Sequence, residues 1–267
     1  MQASEFLVPP GTAVDLDHFP TNAKDPEGKD DAVAELAELI TELQDLQEML
    51  WAQHEHRVLV ILQARDAGGK DGTIRKVFSE LNPQSVKVTS FKQPTEPELD
   101  HDYLWRVHTH VPGNGELMVF NRSHYEDVLV VRVRDLVPKA RWKKRYRQIR
   151  EFERMLVEEG TTIVKFHLHI SKDEQRARLQ ARVDDPKKHW KFAPADVAER
   201  EHWDSYRTAY EEMLEKTSTD VAPWYVIPSD HKWFRSLEVA RIMVHTLRGL
   251  GLEYPPADPD LAGVVVT

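Results

Sequence analysis

Five short runs of apolar and β-branched residues punctuate the chain, and stretches with a helical period separate them. The runs fall at 58–63, 86–91, 117–120, 162–169 and 224–227. Most are nearly continuous in apolar character, as strands covered on both faces should be. The helical patterns cover 31–51, 70–80, 97–110, 138–159, 172–183, 195–216 and 231–249. Ser171 followed by Glu174 is a capping-box signal for one of them. Such alternation predicts a parallel five-stranded sheet flanked by helices, a three-layer α/β/α fold. With 267 residues, 40% of them hydrophobic, one large domain is expected. It should span 31–250. Residues 1–30, rich in Pro, Asp and Gly without any period, read as an extended arm, and 251–267 as a tail.

Charge narrows the function. The formal net charge of −9 argues against a chain coated in basic residues for nucleic acid, so any polyanion site must be local. There is no cysteine, hence no disulfide and no thiolate zinc site. The start, "MQASEFLVPPGTAVDLDHFP", has neither the basic opening nor the apolar core of a signal peptide. No apolar run approaches the roughly 20 residues of a membrane helix. A cytoplasmic protein with no membrane partner is expected.

Ligands of open α/β sheets sit beyond the carboxyl ends of the strands. Those ends here read "ARDAGGKDGT", "SFKQPTEPE", "NRSHYED", "HISKDE" and "PSDHKW". The first is the most specific. A strand, a glycine-rich turn and a helix can wrap backbone N–H groups around a phosphate, with a lysine on the outer phosphates. Against the pattern G-x-x-x-x-G-K-[ST], Ala64 replaces the first glycine and Asp71 the final Ser/Thr. Ala67, Gly68, Gly69, Lys70, Asp71, Gly72 and Thr73 form the candidate phosphate cradle. An acid inside it, Asp66, would repel phosphate unless a cation lay between them. Asp66 is therefore the candidate Mg2+ ligand.

Several ordered motifs carry a resemblance. "QARDAGGKDGTIRKVF", "TSFKQPT", "HDYLWRVHTHVP", "FNRSHYEDVLVVRV" and "DDPKKHWKFAPADVAEREHWDSYRTAYEEML" together resemble the polyphosphate kinase 2 family over residues 30 to 250. The third-strand motif "NRSHYED" looks like the subgroup acting on both nucleoside mono- and diphosphates. The resemblance implies a P-loop kinase fold with a helical lid, here around 178–195. It also implies inorganic polyphosphate as phosphoryl donor, Mg2+ as cofactor, and a homo-oligomer, dimer or tetramer. Carried over, the loop lysine is Lys70, the loop acid Asp66 and the arginine after the third strand Arg122. The lid's basic residues are Arg178, Arg182, Lys187, Lys188 and Lys191. Asn121 is a departure, because an acid usually ends this strand in a P-loop enzyme.

Other segments keep two readings. Lys92, after the second strand, could hold substrate phosphate. Arg106, Asn121, Arg122 and Glu126 are the candidate nucleotide-facing residues. The basic helix at 137–155 could line a polyphosphate path, and Arg178 and Arg182, four apart, should share a face of the lid helix. The H-x-H pairs His108/His110 and His167/His169 lack a third ligand and are expected to be structural. The aromatic spacing of "HWDSYRTAYEEM" is expected to be core. The function these residues imply is polyphosphate-dependent phosphorylation of AMP or ADP. An ATP-dependent nucleoside monophosphate kinase of the same fold and a non-catalytic polyanion binder remain as alternatives.

Overall fold

The computed structural model describes residues 3–261 and 264–266. Its sheet has six strands, β1 (Leu7–Val8), β2 (Arg57–Ala64), β3 (Val86–Ser90), β4 (Leu117–Asn121), β5 (Thr161–His169) and β6 (Trp224–Pro228), in the order β1-β6-β5-β2-β4-β3. The five expected strands are all present and mutually parallel. The sixth, β1, comes from the arm and pairs antiparallel with β6. Its two residues are too few to show a period, so only tertiary pairing defines it.

Layering follows from β2. Val58, Val60, Leu62 and Ala64 point into one core, packed by α1 (Lys29–Gln53) and the C-terminal helix. Leu59 and Ile61 point into the other. Both faces are buried, so the run is apolar throughout rather than alternating. Each such side chain contributes about 1.5–3 kcal/mol when fully buried. Strand β2 lies between β5 and β4. The connections after β2 and after β4 leave it toward opposite edges, which opens a crevice at its carboxyl end.

Five further helices complete the layers: α2 (Lys70–Thr73), α3 (Lys139–Glu158), α4 (Lys172–Val183), α5 (Trp203–Thr217) and α6 (Lys232–Arg248). Ser171 caps α4, its hydroxyl accepting from the Glu174 N–H at 3.1 Å. Helix α2 runs straight into a π-helical turn, Ile74–Phe78. The helix expected over 97–110 is absent. Two single turns, Glu96–Leu99 and Trp105–His108, stand there instead. Asp102 separates them by accepting the Leu104 N–H at 2.9 Å. No described helix is long and apolar enough to cross a membrane.

The arm is tied down by isolated residues. Phe6 packs edge-on against Phe234, ring centroids 6.1 Å apart. Asp15 and Asp17 accept from Arg207 at 2.9 and 2.6 Å, and buried Asp25 pairs with Arg241 at 3.0 Å. Helix α3 buries Trp142, Tyr146, Ile149, Phe152 and Leu156 at helical spacing. Its one buried cation, Arg145, pairs with Asp127 at 2.7 Å.

Candidate active site

The loop 65–69 leaves β2 inside the crevice. Gly69 has φ +116°, and a Cβ there would collide with the guanidinium of Arg235. Conformation and space both demand glycine. Ala67 at φ +58° and Arg122 at φ +63° are left-handed without being glycine. Such strain gathers where a fold holds functional backbone.

Three loop carbonyls are captured from behind. Gln175 Nε2 donates to Asp66 O at 2.9 Å. Arg178 Nη1 donates to Ala67 O at 3.0 Å and Gly68 O at 3.3 Å. Since the carbonyl and the following N–H point opposite ways in a planar trans peptide, the N–H groups of Ala67, Gly68 and Gly69 are turned away from α4. The remaining donors of Arg178 go to Glu174 Oε1 (2.8 Å), Ser229 O (2.6 Å) and Asp230 O (2.9 Å). All five N–H groups of its guanidinium are thereby used on protein oxygens. Arg178 stands as a positioning residue for the loop rather than as a free cation.

Lys70 is buried, its Nζ donating to Ala64 O at 2.9 Å. Burial and the Arg122 charge pull its pKa down, while Asp66, Glu126 and Asp71 oppose this. Asp66 pairs with Arg122 at 3.0 Å. Asp71 accepts from Asn121 Nδ2 at 2.8 Å. The residue at the usual place of the strand acid therefore serves as a donor, to a carboxylate on α2. Burial pulls Arg122 down, but Glu126 and Asp66 outweigh it and hold it above its ordinary value. Glu126 is pushed up by enclosure, against the pull of Arg122 and Lys70.

A cavity of about 850 Å³ opens over the loop. It is bordered by ten basic side chains and three carboxylates, Asp66, Asp71 and Glu174. Of the candidate residues, it gathers Asp66 to Gly72, Lys92, Asn121, Arg122, Arg178, Arg182, Lys188 and Lys191. Others lie elsewhere. Thr73 is buried, its hydroxyl donating to Gly69 O at 3.2 Å. Lys187 is exposed at the start of the 3-10 turn Pro186–Lys191. Arg106 is buried 5.4 Å from the Phe91 ring and donates to Lys92 O at 2.9 Å, so it braces the end of β3. The α3 cations do not border the main cavity.

Glu126 borders a second, smaller cavity of about 250 Å³ together with Asp66, Arg122, Arg65, Trp203, Tyr206 and Tyr210. Arg65 stacks on Trp203, 3.8 Å from the ring centre. Burial pulls its pKa down to about 10. The aromatic segment expected to be core is therefore divided. Ala209, Tyr210 and Met213 are buried, whereas Trp203 and Tyr206 are partly exposed on a cavity wall. The histidines of β5 fit a structural role. His167 and His169 are both driven down by burial, His169 to about 4. No group of three or more metal-type ligands forms among the described residues.

Sequence reasoning missed Arg75, Lys232 and Arg235 on the main cavity. Arg75 sits in the π-helical turn, whose phase no local pattern announces. Arg235 did leave a signal, being a cation inside the otherwise apolar stripe of α6.

Asp127 gives a pH test. Burial pushes its carboxyl up to about 6, with Arg145 and then Arg106 opposing. A folded-state value above the ordinary 3.8 means the folded protein binds this proton more tightly than the unfolded chain. The contribution is complete below about pH 3.8 and is lost as pH rises to about 6. It amounts to about 3 kcal/mol. The melting temperature of wild type should therefore fall relative to that of Asp127→Asn between pH 4 and 6, and the two should run parallel above. A constant difference across that window would place the titration elsewhere.

The comparisons with known proteins agree with this geometry. The model of a family described as Polyphosphate kinase 2 matches residues 27–252. An AMP/ADP-polyphosphate phosphotransferase of Meiothermus ruber is 59% identical over 239 residues, covering 90% of each chain. An ADP-polyphosphate phosphotransferase of Rhodopseudomonas palustris is 46% identical over 273 residues, covering 97% of this chain and 94% of the other. The crystal structure of Polyphosphate Kinase 2 from Arthrobacter aurescens TC1 superposes with a TM-score of 0.90 at 42% identity, covering 96% of this chain and 95% of that one. A glycine-rich loop at the end of β2, a cavity rich in cations and matches across nearly the whole length lead to one statement: this chain belongs to the polyphosphate kinase 2 family.

Proposed function

We propose that the protein transfers the terminal phosphoryl group of inorganic polyphosphate to a nucleoside mono- or diphosphate, making ADP from AMP and ATP from ADP. The observation that carries this reading is the pair of adjoining cavities. One is large and cationic, the other small and walled by Trp203 and Tyr206, and Asp66 and Arg122 border both. A polyanionic donor suits the first. The nucleoside end of an acceptor suits the second, because aromatic faces and the Arg65 plane offer stacking surfaces. Transfer would take place where the cavities meet. The relatives named above as AMP/ADP- and ADP-polyphosphate phosphotransferases support the same substrates.

The attacking phosphate oxygen is already ionised at neutral pH, so no general base is required. An acceptor oxygen–phosphorus bond forms, the terminal anhydride bond breaks, and polyphosphate leaves one phosphate shorter. Catalysis is then positioning and charge neutralisation. Loop N–H groups and Lys70 hold the moving phosphoryl group, and Arg122 balances charge at the junction. Mg2+ is part of this reading. Asp66 and Asp71 are carboxylates beside the loop, and a small hard cation is commonly held by one or two carboxylates plus substrate phosphates. Bound there, it would neutralise charge on the donor oxygens. A homo-oligomer in the cytoplasm completes the proposal, and light scattering reads the oligomer directly.

The test offers AMP or ADP with either polyphosphate or ATP, with and without Mg2+, and resolves the products by ion exchange. AMP should yield ADP and ATP from polyphosphate only when Mg2+ is present, and Asp66→Asn should need more Mg2+ for half-maximal rate. Phosphorylation of AMP by ATP with none by polyphosphate would assign an ordinary monophosphate kinase. Polyphosphate binding without any product would assign a binding protein.

A further inference from the structure

Gln63 breaks the apolar run of β2 one residue before its end and is fully buried. A buried primary amide needs partners for both its oxygen and its nitrogen. One orientation supplies them. Nε2 donates to Glu126 Oε1 at 3.0 Å, and the amide oxygen accepts from the Ser123 hydroxyl at 3.0 Å and the Ser123 N–H at 3.1 Å. Turned over, the amide would set its oxygen against the carboxylate and keep the Ser123 hydroxyl as its one contact. That hydroxyl already accepts the Tyr125 N–H at 3.2 Å, so its own hydrogen is free for the amide oxygen. The carboxylate thus held belongs to the 3-10 turn His124–Asp127. It borders the small cavity together with Arg122 and Asp66. Asp66 takes Nη2 of Arg122 at 3.0 Å, yet against burial it is Glu126 first, then Asp66, that holds Arg122 above its ordinary value. Leu62, just before Gln63, accepts the Arg122 N–H at 3.1 Å, where φ is +63°. Two successive residues of β2 thus clamp one turn, Leu62 by its backbone and Gln63 by its side chain.

We propose that Gln63 is a positioning residue for phosphoryl transfer: its amide holds the Glu126 carboxylate beside Arg122, and through Arg122 it orders the charge that meets the moving phosphoryl group. The proposal rests on the transfer reading above and adds a residue that touches neither substrate. Gln63 borders neither the large cavity nor the small one, so its effect on the rate runs through the turn that carries Glu126. A purely structural amide would look the same from the Ser123 side. The two roles differ at the NH2 group, which structure alone could spend on any acceptor but which here goes to the one carboxylate of the turn that faces the cavity.

The test compares four full-length proteins, wild type, Gln63→Met, Glu126→Ala and the double variant, in turnover of AMP with polyphosphate per folded molecule. Gln63→Met keeps the length and removes the donor. It should lower kcat by about 10- to 100-fold, the scale on which a misplaced active-site group is felt. Its KM for polyphosphate should change by less than about twofold, since no contact with the donor is lost. In the Glu126→Ala background the same substitution should cost less than about twofold more, because no carboxylate is left to hold. Should Gln63→Met not fold, Gln63→Asn takes its place with the same expectation. It keeps the amide but is one methylene too short to reach Ser123 and Glu126 together. Losses that multiply in the double variant would overturn the proposal. So would a normal kcat in the folded single variant, whatever its melting temperature, since that is the mark of a structural amide. Wild type that makes no product from polyphosphate would refute the transfer reading and this proposal with it, whereas product from wild type with multiplying losses would refute this proposal alone.

Discussion

Replacing Lys70 by alanine is expected to cut turnover with polyphosphate by about 10²–10³-fold, the usual loss when one donor facing a developing anion is removed. The melting temperature should hold or rise. Lys70 is buried with its charge disfavoured by burial and by Arg122, and its one side-chain hydrogen bond among the described residues is to Ala64 O. Removing it takes away a group whose main payoff comes when phosphate arrives. Single-turnover rates and calorimetry separate the two effects. Near-normal turnover in a folded Lys70→Ala protein would remove the loop from the chemistry.

The second large effect is on stability. Lys165 and Glu153 are buried together behind β4 and β5, with Nζ 2.6 Å from Glu153 Oε2, 2.9 Å from the Tyr125 hydroxyl and 2.7 Å from Thr217 O. Tyr125 donates to the other carboxylate oxygen at 2.7 Å. Burial drives the Glu153 carboxyl up, but Lys165 and His124 outweigh this and keep it ionised. Lys165→Met leaves that carboxylate buried without its ammonium partner, at a cost of about 3–5 kcal/mol. For a chain of this size, the melting temperature should fall by roughly 6–20 °C. Lys165→Met combined with Glu153→Leu should recover much of the loss, since an apolar pair of similar volume can replace a buried ion pair. A single variant within about 1 kcal/mol of wild type would mean that the network carries little of the fold. It also underlies the turn after Arg122, so the destabilised variant should lose activity in proportion to unfolding, not before it.

The strands were readable because each carries its own evidence. Val58 to Leu62 is apolar on both faces, and both faces are in fact covered. The loop was readable because a tight strand-to-helix turn needs glycine at fixed points, and Gly69 needs it for both conformation and space. What stayed hidden depends on distant partners. Leu7 and Val8 form a strand only because β6 offers an edge. The 97–110 segment has a helical period, but Asp102 hydrogen-bonds the chain out of the helix. Arg106 kept a structural and a functional reading, and its guanidinium donates to Lys92 O and faces Glu98 at 3.6 Å. The cations of helix α3 kept two readings in the sequence, and they do not border the main cavity. Composition counts charges, and only packing says which way they face.

The capture of the loop by Gln175 and Arg178 bears on how the loop keeps its shape. Both residues belong to the first part of α4. Arg178 also grips Ser229 O and Asp230 O, so cradle, helix and the β6–α6 turn are bolted into one body. Swinging all of α4 outward would break those bonds and let the loop peptides flip. The backbone of the loop is therefore held from outside the loop, by a helix more than a hundred residues further along the chain, and a change that loosens that helix is felt in the loop.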